Sequence, residues 1–130
     1  MPISFEVDAR RRLVRLGYTG ATPNIQAWEA VMTAILQDPR YQPGFGFLID
    51  RRAVPPPDAP FVRATVLFRE NHAAELAGAR WAVVVSDPAN YGMARMGQAL
   101  GDAQTHVQQR AFTDVDEAEA WLLEPRTEQT

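Results

Sequence analysis

Five consecutive apolar residues, Trp81-Ala82-Val83-Val84-Val85, run into Ser86-Asp87-Pro88, and no other stretch limits the fold as tightly. An unbroken apolar run of strand length is stable only with a layer on each side, so it predicts an interior strand rather than a half-wet one. The strand then stops at once. Asp87 can accept backbone N–H groups as a helix cap, and Pro88 suits the first helical position, where no N–H is needed. A strand that opens directly into a helix is the repeating unit of a parallel α/β sheet. Beyond it, Met93, Met96, Leu100 and Ala103 recur at spacings of three and four, while Arg95, Gln98 and Asp102 point elsewhere, which leaves one stripe for the sheet. Gly92, Gly97 and Gly101 each cost about 1 kcal/mol relative to Ala in a helix, so something is expected to approach this helix closely.

Read in order, the chain supplies the other elements. Ile3, Phe5 and Val7 alternate with Ser4, Glu6 and Asp8, the period of a strand with one wet face. A polar turn at 8–11 leads to a second strand, with Val14, Leu16 and Tyr18 on one face and Leu13, Arg15, Gly17 and Thr19 on the other, pairing antiparallel with the first. The Arg10-Arg11-Arg12 triplet reads as a solvated turn in preference to an anion patch. Thr22-Pro23 predicts a helix start, and Ile25, Trp28, Met32, Ile35 and Leu36 form its stripe. That helix must end near Asp38, since the residue before Pro39 is pushed out of the α region. Phe45 to Asp50 is a third strand.

Residues 50–60, Asp-Arg-Arg-Ala-Val-Pro-Pro-Pro-Asp-Ala-Pro, contain three successive prolines and predict a stiff, exposed rim. Asp58 and Pro60 then open a helix with two apolar strips. Phe61, Thr65, Phe68, His72 and Leu76 form one, and Val62, Val66 and Ala73 the other. One sheet cannot cover both, and either a neighbouring helix or a dimer contact would cover the surplus. Thr105 to Phe112 is too polar for an interior position and reads as an edge strand. Asp114 with Glu117 marks a capping box, and Val115, Ala118, Trp121 and Leu122 line the closing helix. The expected organisation is one domain over 1–123 with a frayed tail at 124–130. Its fold class is α/β, a mixed, mostly parallel five-stranded sheet with about four helices and right-handed crossovers.

Composition removes whole classes of chemistry. The chain has no Cys, so disulfides, thiolate nucleophiles and thiolate metal sites are excluded. All thirteen basic residues are Arg, which excludes Schiff-base lysines and the lysine of a P-loop. A net charge of −3 argues against a nucleic-acid partner. No stretch approaches the ~20 apolar residues of a membrane span, and residues 1–7 do not resemble a signal peptide, so the expected location is the cytoplasm. Ser86 lacks a Gly-x-Ser-x-Gly elbow and the topology places no His beside it. His72 shares an apolar face with Phe61 and Phe68, as a structural histidine does, and His106 has no spaced metal-ligand partner. No catalytic constellation is found, no cofactor or metal is expected, and the chain is expected not to be an enzyme.

The element order, Leu48-Ile49-Asp50, Ser86-Asp87 followed by Tyr91-Gly92-Met93-Ala94-Arg95-Met96, and Ala118 with Trp121-Leu122 together resemble the STAS/SpoIIAA-like family of small bacterial proteins. The resemblance spans residues 3–123 and implies the same right-handed β-α winding. In the anti-sigma-factor antagonists of that fold a phosphorylatable Ser or Thr opens the helix after the third strand. Here 50–58 contains neither, so that role is assigned to no residue. The resemblance implies a regulatory or protein-interaction module, binding a protein partner or itself as a homodimer. The residues also allow a carrier or sensor of a small apolar or anionic ligand, held between the sheet and the helices at 61–76 and 88–103. If the third and fourth strands are parallel neighbours, their carboxyl ends bring Asp50, Arg51 and Arg52 beside Ser86, Asn90, Tyr91 and Arg95. Ligands of open α/β sheets tend to bind at such an edge.

Overall fold

The computed structural model describes residues 3–20, 24–55, 57–86, 92 and 107–125. Five strands form one mixed sheet in the order β1-β2-β3-β4-β5, with β1 Ile3–Asp8, β2 Leu13–Tyr18, β3 Gly46–Asp50, β4 Ala79–Val84 and β5 Val107–Phe112. The β1–β2 pair is antiparallel and every other pair is parallel. Three α-helices are described: α1 Ile25–Gln37, α2 Ala59–Asn71 and α3 Val115–Leu123. Of the helix expected over 88–103 only Gly92, which is helical, is described, and the His106 end of the edge strand lies outside the described residues.

The apolar run at 81–85 is covered on both sides, as its composition demands. Trp81, Val83 and Val85 join the larger core with Val14, Leu16, Phe47 and Ile49, beneath Trp28, Met32 and Ile35 of α1 and Phe68 of α2. Ala82 and Val84 face the other way, onto Leu13, Leu48, Ala118, Trp121 and Leu122, so α3 alone forms the described cover of the second face. Neighbouring strand residues thus enter different cores, the geometric result of a side-chain period of two. The larger core is built of rings in edge-on and tilted contact. Trp28 lies 5.2 Å from Phe68 and 6.3 Å from Trp81, and Trp81 lies 5.2 Å from Phe47. Such arrangements set ring edges against ring faces and add to what burial contributes.

The helix ends show where local sequence was read correctly and where packing chose otherwise. The cap of α1 is Asn24, whose side chain accepts from the Ala27 N–H at 2.8 Å, in place of the expected Thr22; Thr22-Pro23 lie outside the described residues. Both residue types can cap, and the one that meets the free N–H groups is fixed by where α1 sits on the sheet. Asp38 ends α1 in extended conformation before Pro39, and Asp58 caps α2 through the Phe61 N–H at 2.9 Å. The expected apolar strip through Leu76 is corrected, because α2 ends at Asn71 and His72 is its C-cap. Leu76 still reaches the larger core, from the turns that follow. Those turns close at Gly78, whose φ of +79° an L side chain rarely adopts. Asp114 accepts from the N–H groups of both Asp116 and Glu117.

Two arginines, Arg69 buried and Arg80 half-buried, tie the layers together. Arg69, only 1 % exposed, donates to Gln109 Oε1 at 2.7 Å and lies over the Trp81 ring, so α2 is fastened to the edge strand β5. Burial pushes its guanidinium down to about 10, which leaves it charged at neutral pH. Arg80 donates to the carbonyls of Trp121 and Glu124 at the end of α3, the terminus that favours a cation.

Candidate functional site

The carboxyl ends of β3 and β4 lie side by side, with Asp50 in register with Val84 and the Arg51 N–H donating to the Val84 carbonyl at 2.8 Å. This parallel pairing puts Ser86, two residues past β4, against the turn that leaves β3. Its Oγ donates to the Arg52 carbonyl at 3.2 Å. Asp50, Arg52 and Ser86 are therefore brought together. Asn90, Tyr91 and Arg95 lie outside the described residues.

Within this lip the two arginines part company. Arg52 folds back on Asp50, its N–H and Nε both donating to Oδ1 at 3.0 Å and its Nη2 to Oδ2 at 2.8 Å. That two-pronged clasp, with the Arg52 side chain still 48 % exposed, presents a guanidinium of fixed orientation to solvent. The Arg52 side-chain hydrogen bond holds the Asp50 carboxyl below its ordinary range. Arg51 turns the opposite way and corrects the expectation of a fully exposed rim, being 6 % exposed. Its Nη2 donates to the Pro55 carbonyl at 2.9 Å, and its Cζ sits 4.8 Å above the Tyr18 ring. Burial pushes the Arg51 guanidinium down and the Tyr18 phenol up. Val54 is buried as well, so the stiff segment is anchored by two of its residues.

Arg51 departs because strand alternation persists beyond β3. Phe47, Ile49 and Arg51 share parity and face the larger core, whereas Leu48, Asp50 and Arg52 face the other side. That parity was readable in the sequence, and it singles out Arg52 as the residue available to a partner. Tyr18 is a site residue that sequence reading left in the core; its signal is its place at the end of β2 beside Asp50. A hollow of 300 Å³ is lined by Tyr18, Asp50, Arg52 and Ala53. Asp50 also lines a larger groove of 380 Å³ between the β1–β2 face and α3, floored by Ser4, Gly17 and Leu48 and walled by Arg15, Val115 and Glu119. Arg15 spans that groove's wall, donating to Glu119 at 2.6 Å and to Asp8 at 3.1 Å.

Other singled-out residues have local roles. His72 stacks on Phe68 at 4.2 Å and its Nδ1 pairs with Glu75 at 3.0 Å. Arg10, Arg11 and Arg12 are exposed at the β1–β2 turn, where Arg12 takes a φ of 59°. Among the described residues no group of three His, Asp or Glu side chains is placed to hold a metal ion, and no helix is long and apolar enough to cross a membrane.

No family model and no curated protein matches the chain. Its structure is similar to the crystal structure of an uncharacterised protein of the DUF3478 family from Shewanella loihica PV-4, described as having a SpoIIAA-like fold. The TM-score is 0.61 at 16 % sequence identity, over 92 % of this chain and 91 % of that one. At that identity the likeness is one of fold, and it shows the SpoIIAA-like winding.

Proposed function

We propose that this SpoIIAA-like chain is a non-catalytic, STAS-type recognition module that binds a protein partner along the lip at the carboxyl ends of β3 and β4. The observation that carries the reading is the Asp50–Arg52 clasp, anchored through the Arg52 carbonyl to Ser86. It holds an exposed guanidinium in one orientation without using up its outward face, and pre-ordering of this kind lowers the entropy lost on binding. Asn90, Tyr91 and Arg95, a few residues further along the chain, are the expected additional contributors. The same clasp makes Asp50 a poor general base, since a carboxylate held below its usual range has little affinity for a proton at neutral pH.

The decisive variant is Arg52→Glu. Arg51 is left intact because its burial would confound binding with folding. In quantitative affinity capture from the native cell, a protein retained by the wild type and released by Arg52→Glu supports the reading. Equal retention by both, or no reproducible retention by either, overturns it.

A second reading, a carrier for a small ligand, has in its favour the 380 Å³ groove beside α3 with Leu48 in its floor. That groove is on the face of the sheet opposite the expected place between the sheet and the helices at 61–76 and 88–103. Arg15 in its wall is already paired with Glu6, Asp8 and Glu119, which favours an apolar ligand over an anionic one. Native mass spectrometry of freshly purified protein separates the two. A bare polypeptide mass rules against the carrier.

A further inference from the structure

The sheet has two edge strands, β1 and β5, and they are not equally protected. Edges left open are templates for pairing, and proteins blunt them with charges, prolines or bulges. The edge at β5 carries Gln108, Gln109 and Arg110 in its middle, the last lying over the Phe112 and Trp121 rings. The edge at β1 is built differently. Ile3–Asp8 pairs with β2 through all six residues without a bulge, and among the described residues no strand pairs with its outer side. Its two acids do not guard it with unbalanced charge, because Arg15 on β2 pairs with both Glu6 and Asp8. On the face of the larger core Ile3 and Val7 are buried, yet Phe5 between them is 37 % exposed, an aromatic ring left partly uncovered beside an open edge.

We propose that β1 is a self-recognition edge, on which a second copy of this chain adds its own β1 antiparallel across a two-fold axis at Phe5 to form a continuous ten-stranded sheet. The strand is complementary to itself about Phe5, and overlap together with charge sets the register, since about Ser4 only residues 3–5 of the strand would pair. A strand that meets its own copy about Phe5 sets Phe5 against Phe5, Ile3 against Val7 and Ser4 against Glu6, so that no like charges oppose. About Glu6 it would set Glu6 directly against Glu6, which is unfavourable. A two-fold axis normal to the sheet keeps each side chain on its own face, so the apolar residues of both copies share one side and Phe5 becomes covered. Ser4, Phe5 and Glu6 line one groove with Asp50 of the β3–β4 lip, but the outward edge of β1 is not part of that lip, and Phe5→Lys and Arg52→Glu test the two readings independently.

The absence of Cys makes the register directly testable, since any disulfide must form at an introduced site. Opposed residues of an antiparallel pair have Cα atoms roughly 4.5–5.5 Å apart, within disulfide reach. Residues one step off the axis lie two strand steps further from their own copies, beyond the ~7 Å limit. Under mild oxidation Phe5→Cys is expected to form a homodimer. Ser4→Cys and Glu6→Cys are expected to cross-link when mixed together but not alone. Sedimentation velocity should show a concentration-dependent dimer for the wild type and a monomer for Phe5→Lys, with the circular dichroism and melting of Phe5→Lys unchanged. A wild type monomeric throughout its soluble range overturns the proposal. So does a dimer that Phe5→Lys leaves intact or that cross-links in another register.

Discussion

Arg51 is enclosed by the Pro55 carbonyl and the Tyr18 ring, whereas Arg52, its neighbour in the chain, is half exposed and clasped to Asp50. The two substitutions should therefore separate. Arg51→Ala removes a buried guanidinium, its hydrogen bond to the Pro55 carbonyl and its cover over the Tyr18 ring, and is expected to cost about 1–3 kcal/mol in urea unfolding. Arg52→Ala is expected to leave the urea midpoint unchanged while altering binding, because an exposed ion pair contributes little to folding. Equal loss of stability in both variants would contradict the burial difference. The Asp50 carboxyl has a definite pH signature. Arg52 lowers its folded-state pKa beneath the ordinary 3.8, so the unfolded chain takes up the proton first on acidification. The clasp's contribution is present above that value and fades as pH falls through the lower folded pKa. Carboxyl-resonance NMR should follow Asp50 titrating below the ordinary 3.8, and a midpoint at or above that value would refute the clasp.

At the level of elements, α3 deserves comparison with α1 and α2, which share one face of the sheet while α3 covers the other. Trp121 is the largest residue in that second layer, and Arg80 grips the end of its helix. Trp121→Ala is expected to cost about 3–5 kcal/mol, as deletion of a buried aromatic does, and to destabilise more than Asp114→Ala, which removes a cap worth about 1 kcal/mol. Thermal melts of the two variants order them. The approach of α3 to the sheet is also recorded at Gly46, where an added Cβ would lie 3.1 Å from the tips of both Leu13 and Leu122. Of the expected strip Val62, Val66 and Ala73, the first two lie on α2 and Ala73 lies beyond its end, and Arg69 interrupts it at the helical step that follows Val66. The sequence displayed that interruption plainly. Its meaning, a tether to Gln109 on β5, required two elements 40 residues apart to meet.

Across the whole molecule the three tryptophans sample both layers, Trp28 and Trp81 on one side of the sheet and Trp121 on the other. Because β3 and β4 contribute residues to both cores, the layers should unfold as a unit. Fluorescence of Trp121→Phe, reporting the larger core, and that of Trp28→Phe, weighted toward the second, are each expected to coincide with far-UV circular dichroism of the same variant in urea. Resolved transitions would mean that α3 detaches on its own. The sequence by itself determined the strand and helix types, the two-faced burial of Trp81–Val85 and the polar edge at β5, because each is written in spacing along a single segment. The parity that continues from β3 was a signal for the separation of Arg51 from Arg52, yet both were expected on one rim, and it took the Tyr18 ring and the Pro55 carbonyl to show Arg51 buried. Only the tertiary structure decided that Asn24 caps α1, that α2 ends before His72, and that Arg69 and Arg80 fasten the helices to the sheet. Those outcomes depend on which distant groups lie within hydrogen-bonding reach, a matter of three-dimensional distance that no spacing along one segment encodes.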